Sequence, residues 1–149
     1  MRKPKLEDAV ALAAALHRGQ VDKIGVCYLL HPLRVMLDPS LQTDEERITA
    51  VLHDTVEDCG ITFGQLRRLG YSEKVLEALG FLTKLPHEEV DYAAFIQRIR
   101  RGPPLARKVK LADLRDNTNP SRMMPPNEHN NARQERYRRA IETLEATTG

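Results

Sequence analysis

The sequence predicts an all-α fold of about seven or eight helices. Three observations carry that expectation. Apolar residues recur at helical spacing in nearly every segment with a clear period, and no segment shows sustained strand-type alternation. Aromatic residues make up only 5% and Trp is absent, so the core must be built mainly from Leu, Ile, Val and Ala, the residues of helix packing. A length of 149 residues suits one domain, residues 1–149, with a sizeable core.

Each element follows from its own signals. Leu6, Ala9, Val10, Ala13 and Leu16 recur at i, i+3 and i+4, and Gly19 closes that helix. "QVDKIGVCYLL" reads as a loop or short extended piece, and "HPLRVMLD" as a helix start with Pro32 at the first helical position. "TDEERITAVLHDTVED" opens with a capping box, Thr43 and Glu46, and reads as one helix over 44–58 that stops at Gly60. "TFGQLRRLG" and "SEKVLEALGFLTKL" are two shorter helices, the first ended by Gly70 and the second followed by Pro86. "DYAAFIQRIRRG" runs to the break at Gly102-Pro103-Pro104, and "PLARKVKLADLRDN" follows it. "NPSRMMPPNEHNN" is a polar, proline-bearing loop. Tyr137, Ala140, Ile141 and Leu144 mark the buried face of a last helix.

Bulk properties exclude several classes. Net charge is +2, too balanced to argue for nucleic acid, and no nucleic-acid partner is expected. The run "RIRRGPPLARKVK" is read as cations that solvate helix ends or attract an anionic nucleotide. Cys27 and Cys59 form no CxxC pattern, which suggests a reducing, cytoplasmic setting. The N-terminal apolar stretch is broken by Glu7 and Asp8, so it reads as an amphipathic helix and not a signal peptide; no run approaches the length of a membrane span.

The stretch "VLHDTVED" is the chemical signal. With His53 at zero on a helical wheel, Glu57 falls near ~40°, Asp54 near ~100° and Asp58 near ~140°. Ile48, Val51, Leu52 and Val56 occupy the opposite arc. Carboxylates this close repel one another unless a cation or proton neutralises them, so the arc is either a solvated acidic face or a cation site. His31 opens the preceding helix, and Asp113 stands inside an apolar run where an Asp needs a partner. Two His and two Asp offer nitrogen and oxygen donors suited to a divalent metal such as Mn, Fe, Zn or Co. Spacing alone does not bring them together.

In order along the chain, "HRGQVDKIGVCYLLHP", "AVLHDTVED", "LTKL" and "VKLADLRDN" resemble the HD-domain hydrolases of the RelA/SpoT type, and in size the small alarmone hydrolases. The resemblance implies an all-helical domain that removes the 3′-pyrophosphate from guanosine tetra- and pentaphosphate, usually with Mn²⁺. It implies His31, His53, Asp54 and Asp113 as metal ligands, Glu57 and Asp58 as the catalytic acidic pair, and Lys23 and Asn117 as substrate contacts. The chain departs from the family pattern at Asp22, where an Arg against the purine is usual, at Cys27, and in "TNPSRM" after Asn117. Asp22 is expected to turn to solvent, with loosened choice between guanine and adenine alarmones. A phosphatase acting on another nucleotide or dinucleotide, and a nucleotide-sensing HD module, are the competing readings. The oligomeric state is left open by the sequence.

Overall fold

The computed structural model describes residues 2–122 and 124–146; Met123 of the polar loop lies outside them. The described residues are all-α. The helices are α1 (Leu6–Leu16), α2 (Leu30–Met36), α3 (Asp44–Leu52), α4 (Thr55–Cys59), α5 (Phe63–Arg68), α6 (Glu73–Leu82), α7 (Tyr92–Arg100), α8 (Pro104–Asn117) and α9 (Glu128–Glu145). Two short 3₁₀ turns, Pro86–Glu89 and Pro120–Arg122, interrupt the connections. No described helix is long and apolar enough to cross a membrane.

Helix starts follow the expected chemistry. Thr43 accepts from the Glu46 amide while Glu46 accepts from the Thr43 amide, closing the capping box. Thr62 and Gln65 form a second box on α5, and Ser72, Asp91 and Asn127 cap α6, α7 and α9. Gly60 ends α4 with φ at +74°, a conformation that favours glycine.

Packing forms two apolar clusters. Ala9 and Ala13 of α1, Val51 and Leu52 of α3, Leu66 of α5 and Leu79 of α6 make the first. Leu82, Phe95, Ile99, Val109, Leu114 and Leu144 belong to the second, centred on α8. Helices α3 and α6 contribute to both. Leu52, Leu79 and Leu114 are wholly buried, each contributing about 1.5–3 kcal/mol relative to exposure.

One sequence expectation is corrected. Residues 44–58 are not one helix, because the chain turns at His53-Asp54 and restarts as the five-residue α4. Side chains hold the turn: His53 Nδ1 donates to Ala50 O at 2.7 Å, and Thr55 Oγ1 donates to Leu52 O at 2.7 Å. These local bonds replace the helical amide bonds lost at the break. The single wheel over 44–58 therefore does not describe how His53, Asp54, Glu57 and Asp58 are disposed.

Candidate active site

Helix α2 supplies His31, the α3–α4 turn supplies His53 and Asp54, and the middle of α8 supplies Asp113. All four converge. His31 Nε2 lies 2.8 Å from Asp113 Oδ1 and 3.9 Å from Asp54 Oδ2. His53 Nε2 lies 3.1 Å from Asp54 Oδ2 and 3.3 Å from Asp113 Oδ1. Both imidazoles and Asp113 are buried. Tyr28 donates its hydroxyl to Asp54 Oδ2. These residues form the floor of a cavity of about 510 Å³, whose walls include Glu57, Asp58, Lys84, Asn117 and Arg133.

Tautomers are fixed from behind. Ala50 O can only accept, so His53 carries its proton on Nδ1 and turns Nε2 inward. That Nε2 is buried without a hydrogen-bond partner. His31 Nδ1 lies 2.6 Å from Asp116 Oδ2, so it too donates outward and turns Nε2 to the cluster. Arg122 Nη1 passes close to the same nitrogen and donates to Asp116 Oδ2 at 3.0 Å and Asn117 Oδ1 at 2.8 Å. Two inward nitrogens thus face two carboxylates, and positive charge is required between them. Ligand atoms of His31, His53 and Asp54 lie within 4.8 Å of one another, a group that could hold one metal ion. The orphaned Nε2 and the mixed nitrogen–oxygen donor set fit a divalent cation.

The electrostatics express the same demand. Burial opposes charge on His53, but the Asp54 and Asp113 carboxylates outweigh it and raise the imidazole well above its usual value. Burial would also raise Asp113, yet the Lys110 ammonium, with the imidazoles, holds its carboxyl well below the usual range. Asp54 is held down to about 2, burial being outweighed first by His53. Asp58 moves the other way, to about 6, pushed by burial and then by Asp54 and Glu57.

The expected substrate contacts take different positions. Lys23 is exposed at the cavity wall, its ammonium pKa lowered by burial, Arg133 and Arg136. Asn117 lines the cavity but spends its amide nitrogen on Asp113 Oδ1, at 3.2 Å. Asp22 does not turn to solvent. Its Oδ1 accepts from the Ile24 and Val26 amides at 3.0 and 2.9 Å, and Oδ2 lies 3.9 Å from Arg122. An acceptor in a tight loop is held by the loop's own amides, which the flanking Val21 and Lys23 did not announce. The basic run also differs from its reading. Arg107 does cap helix-end carbonyls, those of Arg100 and Gly102, but Lys108 pairs with Glu46 and Arg98 with the buried Glu88.

Four residues of the site escaped sequence reasoning. Lys110 and Asp116 stand three residues either side of Asp113, on its helix face, so spacing could have found them; Tyr28 lies in the turn before α2, outside any helical spacing. Arg122, from a 3₁₀ turn, left no such signal.

No protein-family model matches the chain. Known proteins do. A GTP pyrophosphokinase of Streptomyces coelicolor is 32% identical over 95% of this chain, which spans 17% of that relative's length. A guanosine-3′,5′-bis(diphosphate) 3′-pyrophosphohydrolase of Aquifex aeolicus is 30% identical over 76% of the chain and 17% of its own length. One of the same name from Danio rerio is 31% identical over 74% of the chain and 64% of its own length. A solved structure, described as a metazoan ortholog of SpoT that hydrolyzes ppGpp and plays a role in starvation responses, superposes with a TM-score of 0.81. It is 21% identical, and the match covers 99% of this chain and 90% of that one. The chain thus shares the helical fold of that solved structure, is similar over most of its own length to relatives named as GTP pyrophosphokinases and guanosine-3′,5′-bis(diphosphate) 3′-pyrophosphohydrolases, and gathers His31, His53, Asp54 and Asp113 at one cavity.

Proposed function

We propose that the chain, as a single domain over residues 1–149, is a metal-dependent hydrolase. It removes the 3′-pyrophosphate from guanosine 3′,5′-polyphosphates in the cytoplasm. The observation that carries this reading is the convergence of two inward imidazole nitrogens, the buried Asp113 carboxylate and the half-buried Asp54 carboxylate beside an acidic pair, in a cavity whose walls include Lys23, Lys84 and Arg133. The names of the Aquifex and Danio relatives supply the substrate class.

His31, His53, Asp54 and Asp113 would hold the ion, for which Mn²⁺ suits the donor set. When bound, the ion polarises a phosphoryl oxygen and lowers the pKa of water. The protein's own groups do the rest. Glu57 has one carboxylate oxygen fixed by the Lys84 amide at 2.7 Å, which leaves the other to orient water and take its proton. Asp58, at about 6, exchanges protons in the neutral range. Water adds to the phosphorus next to the 3′ oxygen, the P–O3′ bond breaks, and the 3′ oxygen leaves protonated as a hydroxyl. Lys23 and Asn117 contact the nucleotide.

The test is a product assay with guanosine 3′,5′-bis(diphosphate) and Mn²⁺. Equimolar pyrophosphate and nucleoside diphosphate are expected; orthophosphate as the product would replace this reading with a phosphatase. Glu57→Gln should retain stoichiometric metal yet lose about 10²–10⁴-fold in kcat.

A further inference from the structure

Lys84 has two roles, and the second is played by its backbone. Its side chain lines the cavity, while its amide donates to Glu57 Oε1. That amide sits in the short extended connection between α6 and the 3₁₀ turn at 86–89. Both residues flanking it are held by one ion pair. Arg98 Nη2 donates to Thr83 O at 2.8 Å, and Glu88 Oε1 accepts from the Leu85 amide at 2.7 Å. Arg98 and Glu88 are joined through two nitrogens, Nε to Oε2 at 2.9 Å and Nη2 to Oε1 at 2.8 Å. The Glu88 residue is 1% exposed, and the guanidinium lies against the Phe81 and Phe95 rings.

A surface ion pair would contribute little and would hold nothing in register. Here the Glu88 carboxylate is buried, the pairing is forked, and the half-buried guanidinium also donates to the Gly80 and Thr83 carbonyls, so the pair fixes direction as well as distance. We propose that the Arg98–Glu88 pair is a positioning device for Glu57: it clamps residues 83 and 85, and so aims the Lys84 amide at the carboxylate that handles water. The proposal rests on the role given to Glu57 above. Glu57 lies on the exposed face of the short α4, so its rotamer is set by this bond and not by packing. A displacement on the order of 1 Å at such a group can cost about 100-fold in rate.

The experiment is a double-mutant cycle on turnover of guanosine 3′,5′-bis(diphosphate) with Mn²⁺. Arg98→Lys keeps the charge and loses the fork. Glu88→Gln keeps the shape and the acceptor for Leu85, and serves if Arg98→Lys fails to fold. Either change should lower kcat about 10–100-fold, with KM within about twofold and metal content unchanged. In a Glu57→Ala background the same change should have little further effect, because the group it aims is gone. A loss of equal factor in both backgrounds, or no loss in the native one, overturns the proposal alone. Native turnover in Glu57→Ala overturns the role of Glu57 and the proposal with it.

Discussion

Replacing Lys110 by Met tests the charge balance of the site most directly. The ammonium is buried, donates to Asp113 Oδ2 at 2.7 Å, and sits 5.2 Å from the centre of the Phe95 ring. Burial alone would lower its pKa, but Asp113 outweighs burial and raises it. At that separation the gross attraction is on the order of 6 kcal/mol for an effective dielectric of ~20. Much of this is offset by desolvation, and removing one partner of a buried pair costs about 3–5 kcal/mol. Unfolding a chain of 149 residues carries an entropy of about 0.31 kcal/mol/K, so the Tm should fall by about 10–16 °C. Met keeps the apolar contact with Phe95, which isolates the loss of charge. The assay is thermal unfolding followed by circular dichroism, first in chelator and then with saturating Mn²⁺. A bound cation neutralises Asp113 from its other side, so the loss should shrink by at least about 1 kcal/mol when metal is present. A metal-free Lys110→Met protein within about 1 kcal/mol of native would refute the reasoning.

Other expectations concern stability and substrate binding. Asp58 titrates at about 6 when folded, against 3.8 when free, so its contribution to stability is full below 3.8 and lost as pH rises through 6. Metal-free Asp58→Asn should therefore gain Tm over native at pH 8 and not at pH 4; equal gains at both would contradict this. A Cβ at Gly102 would stand 2.7 Å from Phe81 Cδ1, so Gly102→Ala should cost about 1–3 kcal/mol in urea unfolding, and an unchanged midpoint would count against it. Asp22→Ala removes the acceptor for two amides of the loop at the cavity wall and should raise KM about 3–10-fold, whereas Asp22→Asn keeps an acceptor and should not. Equal KM values for the two would show that the loop does not depend on that carbonyl-type oxygen.

Much of the architecture was legible because helix signals are local. The Thr43–Glu46 box, the stop at Gly60 and the break at Gly102-Pro103 all appear where the residues themselves demand them. The turn at His53-Asp54 was not legible. Helical period continues through it, and what breaks the helix is a pair of side-chain bonds to Ala50 O and Leu52 O that no period encodes. Motif order pointed to His31, His53, Asp54 and Asp113, and the structure brings those four together. The groups behind them were harder. Asp116 looks like an ordinary polar position on α8 until His31 is seen 2.6 Å away, a contact across 85 residues. Arg98 reads as one cation among several, since nothing local says that Glu88 will be buried beneath it.

The bond from His53 Nδ1 to Ala50 O has a kinetic consequence. The ring that offers its lone pair to the cavity also ties off the end of α3. Rotating the imidazole outward would unmake the helix terminus, so this donor is not a swinging arm that reaches for an ion and retreats with it. Its rotational freedom is spent during folding, and capture of a cation then requires no search by that side chain. Exchange of the ion should be governed by the passage of solvent and ligands through the cavity mouth, and be insensitive to ring motion at its floor.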